Sequence, residues 1–179
     1  MTNFKINKKT NLFHLVVSSL ESSLHHPLNK RDKEVFSTHN ILSREYPNEK
    51  LIYDFNKAPK LSSNKAVSIS HCEKYIGLII SQNKAAIDIE KISDKALRIS
   101  SKFLSQKEMK WANSNHRATL LWCAKECLYK IHQMGKLTFA SDLKIQSVNK
   151  NTIEASIFDH NYSLFYEKFD QHWLVYYYD

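Results

Sequence analysis

Apolar and polar positions change rhythm part-way along the chain, and that change divides it. Residues 11–17, NLFHLVV, read as a strand, and a polar stretch follows to about residue 28. In 30–46, KRDKEVFSTHNILSREY, the apolar positions Val35, Phe36, Ile41 and Leu42 repeat at helical spacing. LIYD (51–54) reads as a short strand and NKAPKLSSNK as a loop containing a proline. AVSIS (66–70) and YIGLIIS (75–81) predict two strands joined by a short connection that carries His71, and KAAIDIE (84–90) comes next. From about residue 93 the period lengthens. SDKALRISSKF and SQKEMKWANS predict short helices, and HRATLLWCAKECLYKIHQM a longer one stopped at Gly135. Beyond Lys136 the segments LKIQSV, TIEASIF, YSLFYEKF and HWLVYYY alternate as strands of a half-buried antiparallel sheet. The order is strand, helix, strands, then helices, strands, with no polar linker between. It predicts an α+β protein of two closely packed halves.

Composition narrows the class. The chain has 179 residues, 42% hydrophobic and 25% charged, in the range of a globular protein. Only 2 glycines and 3 prolines occur, which excludes nucleotide-binding loops built on several glycines. The longest apolar runs, such as IGLII at 76–80, are too short to span a bilayer, and the N-terminal stretch lacks the apolar core of a secretion signal. A cytoplasmic location is the expectation. Cys72, Cys123 and Cys127 form no disulfide framework, and Cys123 and Cys127, one helical turn apart without further ligands nearby, read as buried thiols. The net charge of +8 favours an anionic partner. No nucleic-acid recognition motif accompanies it.

Four short stretches carry candidate chemistry. In AIDIE (86–90), strand alternation sets Asp88 and Glu90 on one face, where two carboxylates repel unless water or a cation separates them. A solvated polar strand face explains the same letters. In FLSQKE (103–108), Ser105 and Glu108 have capping-box spacing, a complete structural explanation for that glutamate. In LLWCAKECLYK (120–130), Trp122, Glu126 and Lys130 recur every four residues along one helix face. A Glu-to-Lys pair at that spacing is worth only about 0.2–0.5 kcal/mol, yet a tryptophan on the same stripe argues against a fully solvated face. SISH (68–71) places His71 at a strand end among small hydroxyls, including Ser70.

Taken in order, S-x-S-H, I-D-I-E, F-L-S-x-x-E and W-x-x-K-E-x-x-x-K resemble the 4′-phosphopantetheinyl transferase superfamily. The likeness is to its larger, monomeric type, and runs over most of the chain from about residue 30. YDFNKAPKL (53–61) and MGKLTF (134–139) occupy the places of two further family segments. The resemblance implies two similar α+β halves, 1–90 and 91–179, in a pseudo-twofold arrangement with the active site at their interface. It implies a holo-[acyl-carrier-protein] synthase activity: coenzyme A gives its phosphopantetheine arm to a serine of an apo carrier protein and 3′,5′-ADP leaves. Carrier activation of this kind serves fatty-acid, polyketide or peptide synthesis. The acidic carrier and coenzyme A are the implied partners, and nucleic acid and membrane are not.

Residue by residue, Asp88, Glu90 and Glu126 match the acidic site for Mg²⁺ (Mn²⁺ as the alternative), which would neutralise charge developing on the pyrophosphate. Glu108 matches a position proposed as base or further acidic contact, and Lys130 the lysine of the departing phosphate. Lys125 is the other basic member of that motif. His71, beside Ser70, matches the histidine that contacts the 3′-phosphate of coenzyme A. Three positions depart from the pattern. In the R-x-x-E-x-L-x-x-R helix, His39 stands at the second arginine, exchanging a fixed guanidinium for a weaker contact. The G-K-P element reads Lys57-Ala58-Pro59, and Ala86 replaces the glycine before I-D-I-E. Catalytic positions are kept while ligand-gripping ones have changed, so retained chemistry with altered coenzyme A binding is expected. The alternatives are a non-catalytic coenzyme A- or carrier-binding homologue and, remotely, a basic nucleic-acid-binding module, which leaves the acidic cluster unexplained. Two fused halves make a monomer the expectation.

Overall fold

The computed structural model describes residues 4–20, 29–56 and 58–179. It resolves into two compact units, one of residues 1–85 with 178–179, the other of residues 86–177. The fold is mixed α+β with two sheets.

The first unit is a six-stranded sheet in the order β1-β2-β6-β5-β4-β3. Its strands are β1 (Phe4–Lys9), β2 (Phe13–Ser19), β3 (Leu51–Tyr53), β4 (Pro59–Leu61), β5 (Ala66–His71) and β6 (Tyr75–Ser81). The registered pairings are antiparallel. All seven residues of the central β6 are buried, as its unbroken apolar run requires. Helix α1 (Lys30–Glu45) starts where the Asn29 side chain accepts a hydrogen bond from the Asp32 amide at 2.9 Å. It buries Ile41 and Leu42 in a core with Val16, Leu61, Val67, Ile76, Leu78 and Ile80. Two elements escape the sequence pattern. β1 is a polar edge strand whose residues alternate between half-buried and exposed, and β4 begins at the proline read as loop. Proline is tolerated there because so short a strand near the sheet edge asks for few ladder bonds.

The second unit contains a five-stranded sheet, β7-β11-β10-β9-β8. Its strands are β7 (Ala85–Lys91), β8 (Leu143–Val148), β9 (Thr152–Ile157), β10 (His160–Phe169) and β11 (His172–Tyr178). Helix α4 (Asn115–His132) supplies Leu121, Ala124, Cys127, Leu128 and Ile131 to the core, which includes Leu143, Ile153, Ala155, Leu164 and Val175. The short helices α2 (Asp94–Arg98) and α3 (Ser100–Phe103) precede it. Where SQKEMKWANS predicts a helix there is a turn and a 3₁₀ segment, Met109–Trp111. Helix α4 is capped at its start by the Ser114 side chain, which accepts from the Arg117 amide at 3.3 Å. It ends one residue after His132, at Gln133 with φ of 58°, before the chain reaches Gly135, whose φ is 64°. Gly135 thus extends a left-handed turn that a glutamine begins. Among the described residues no helix is long and apolar enough to cross a membrane.

Candidate active site

The stripe Trp122, Glu126, Lys130 is a partly open seam of a helix that, apart from the exposed Tyr129, is otherwise sealed along this stretch. Cys123, Ala124, Lys125, Cys127 and Leu128 are all buried, while these three are intermediate. The seam faces β7. Lys130 Nζ donates to Asp88 Oδ1 at 2.9 Å and to the Ile87 carbonyl at 2.8 Å, and Trp122 Nε1 donates to Glu90 Oε1 at 2.8 Å. The tryptophan ring is fixed in turn by Phe103, edge-on at 5.0 Å, and by Phe139, stacked at 5.7 Å. The AIDIE strand is therefore no solvated face: Asp88 is 5% exposed.

Crowding of carboxylates shows in their acidities. Burial first, then the charge of Asp88, pushes the Glu126 carboxyl up to about 7, against the pull of Lys130. Burial and Asp88 also raise Glu90, and the Trp122 hydrogen bond partly offsets them. Burial pulls Lys130 down, but the attraction and hydrogen bond of Asp88, with Cys127 and Glu126, leave it above the ordinary lysine value. Both helix thiols, Cys123 and Cys127, are fully buried and raised by that burial.

Among the described residues no three His, Cys, Asp or Glu side chains are gathered tightly enough to form a ready metal cage. Asp88 is turned to Lys130 and Glu90 to Trp122. The donor set nevertheless suits a hard divalent cation. Glu90 and Glu126, raised by burial and by the charge of Asp88, call for positive charge, and Mg²⁺ takes one or two carboxylates with substrate phosphate oxygens rather than a complete protein cage.

Glu108 and Lys125 occupy a different place, beneath the seam. Glu108 Oε2 accepts from Lys125 Nζ at 2.9 Å and from the Ser105 amide at 2.7 Å, and its Oε1 from the Ile145 amide at 2.6 Å. Lys125 also donates to the carbonyls of Phe139, at 2.9 Å, and Leu143. Burial lowers the lysine from its ordinary value and Glu108 works against that. The back-reach of the capping box, Glu108 to the Ser105 amide, is thus present, and the same carboxylate also ties β8 and α4 together. The β8–β9 register slips between Ile145 and Ser147, beside the amide that Glu108 takes.

The remaining sequence candidates lie in the first unit, where a groove of about 660 Å³ opens between α1, the segment entering β3, and β5. His39 and His71 both line it. Ser70 does not: it is 5% exposed and, by strand alternation, on the face of β5 opposite Ile69 and His71, which do line the groove. Lys57 lies outside the described residues. The groove has an apolar side of Val35, Leu42, Leu51, Tyr53 and Ile69, and a polar rim that includes Arg31, Lys50 and Thr38. Sequence reasoning gave Arg31, Glu34 and Lys50 no ligand role. Their meeting place is created by bringing β3 and β5 into one sheet, with β4 between them, under α1, for which no local spacing is a signal.

The model of the 4′-phosphopantetheinyl transferase superfamily matches residues 85–177, just over half of the chain and nearly coextensive with the second compact unit. No curated protein matches.

Proposed function

The chain belongs to the 4′-phosphopantetheinyl transferase superfamily, and on that footing we propose that it moves the arm of coenzyme A onto a serine of an apo carrier protein. The observation that carries the reading is the meeting of Asp88, Glu90, Glu126 and Lys130 within the matched segment. In the proposed reaction the serine Oγ forms a bond to the phosphorus of the phosphopantetheine. The bond from that phosphorus to the bridging oxygen breaks, and 3′,5′-ADP departs with the electron pair.

Asp88, Glu90 and Glu126 would hold the divalent cation, whose contribution is to neutralise charge on the pyrophosphate. The crowding that pushes the Glu126 carboxyl up to about 7 is what a cation shared with Asp88 and Glu90 would relieve, and the serine proton passes to solvent water. Lys130, with an ammonium firmly protonated, suits the charge that grows on the departing phosphate. Glu108 is 2% exposed and engaged by three donors, so we assign it and Lys125 to holding α4 in register rather than to touching substrate. The groove of the first unit, with an apolar side for a base and a cationic rim for phosphate, supports its use by the nucleotide end of coenzyme A, with His71 and His39 on the phosphate.

The test is transfer of a labelled coenzyme A arm onto an apo carrier protein, with and without Mg²⁺. Asp88→Ala and Glu126→Ala should each lose roughly a hundredfold or more in rate, the scale of losing a group that acts in the transition state. Binding of coenzyme A or carrier without any transfer by the wild type would instead establish a non-catalytic homologue.

A further inference from the structure

The groove of the first unit contains an apparent contradiction: a pocket read as gripping phosphate is lined by two glutamates. Each proves to be engaged. Glu49 accepts from the Ser62 hydroxyl at 2.7 Å and from the Ser63 amide at 2.9 Å, and those hydrogen bonds hold its carboxyl below the usual range. Glu34 Oε1 stands 3.0 Å from Nδ1 of His71, in ion-pair range, with side chains 20% and 34% exposed. The charged and titratable groups lining the groove are then Arg31, Glu34 and His39 from α1, Glu49, Lys50 and Tyr53 around β3, and His71 from β5.

From this geometry we infer that Glu34 is a positioning residue that makes the groove selective for a 3′-phosphate, favouring coenzyme A over its 3′-dephospho form. The inference rests on the nucleotide reading of the groove given above. A histidine has two distinct ring nitrogens, and the partner of one decides what the other presents. Glu34 Oε1, 3.0 Å from Nδ1, supplies a counter-charge that favours the protonated ring, and a phosphate in the groove meets Nε2. An imidazole placed between two anions carries protons on both nitrogens, so the contact to phosphate becomes charge-assisted. This matters more here because position 39 supplies a histidine where the family helix has arginine. The groove relies on an imidazole kept charged by its neighbour for what a guanidinium does without assistance.

Isothermal titration with adenosine 3′,5′-bisphosphate and adenosine 5′-monophosphate tests the inference on the full chain. The wild type should prefer the bisphosphate. In Glu34→Gln that preference should narrow roughly tenfold, the size of a charge-assisted hydrogen bond lost, while 5′-monophosphate affinity stays within about twofold. Glu34→Asp should restore part of the preference. In a His71→Asn background, Glu34→Gln should produce no further narrowing. If Glu34 were only a like-charged neighbour of the phosphate, Glu34→Gln would widen the preference in either background, and that result overturns the inference. An unchanged preference overturns it as well. A wild type that binds both nucleotides alike, or neither, overturns the reading of the groove itself and the inference with it.

Discussion

Lys125 and Glu108 form an ion pair sealed from solvent: Nζ and Oε2 are 2.9 Å apart, and the side chains are 0% and 3% exposed. Four backbone groups, the amides of Ser105 and Ile145 and the carbonyls of Phe139 and Leu143, close around the pair. Such a pair contributes little over an apolar substitute, but removing one partner strands a buried charge. Lys125→Met or Glu108→Leu alone should therefore cost about 3–5 kcal/mol in chemical denaturation. The double variant should recover a good part of that loss. Single variants as stable as the wild type would show that the pair does not hold α4 to β8.

Trp122 orients Glu90 through its indole N–H at 2.8 Å, while its ring packs on Phe103 and Phe139. Trp122→Phe keeps most of the packing and deletes the donor. The expected cost in stability is about 1 kcal/mol, and the Mg²⁺ concentration for half-maximal transfer should rise roughly tenfold, as when a ligand loses its orienting partner. A Mg²⁺ dependence identical to that of the wild type would remove Trp122 from the site.

His14 is 3% exposed, between Asn7 and the Tyr46 hydroxyl, each at 2.9 Å. Burial, then the charge of Lys9, lowers its pKa, and Glu45 opposes them. A lowered histidine favours the neutral ring in the fold. Its contribution is complete above the unfolded value of about 6.5 and is lost as pH falls below that, through the folded value. Wild type should thus lose stability as pH falls below about 6.5, with a slope from this group of at most about 1.4 kcal/mol per pH unit, the limit for one proton. His14→Gln should lack that component. Parallel stability profiles for the two proteins would refute it.

The net charge of +8 predicts that an acidic carrier is steered electrostatically. The KM for carrier should rise with salt once the screening length falls below about 10 Å, near 0.1 M, while kcat changes little. A KM flat from about 0.05 to 0.3 M salt would argue that the surface charge has no part in docking.

How much of this was legible beforehand depended on distance along the chain. Strand and helix positions followed from periodicity because burial imposes a period of 2 or 3.6 on neighbouring residues. The polar edge strand β1 and the proline-led β4 were missed because Phe4 and Ile6 in the one and Leu61 in the other are too few apolar positions to establish a rhythm. The seam Trp122, Glu126, Lys130 was legible as a single helix face, and its likeness to a family made Asp88 and Glu90 its natural partners. What each side chain touches was not. Glu108 satisfied a local capping rule, and only the packing of α4 on β8 decided that the same carboxylate would also neutralise Lys125. Glu34 and His71 are far apart in sequence, and no spacing rule connects them; the placing of α1 over β5 does. The sequence by itself determined which residues share a helix face or a strand face, since those relations are set by backbone geometry over a few residues. Tertiary structure alone decided which carboxylates are buried, which are raised and which are paired, because burial and electrostatics depend on distances between elements that the chain order leaves open.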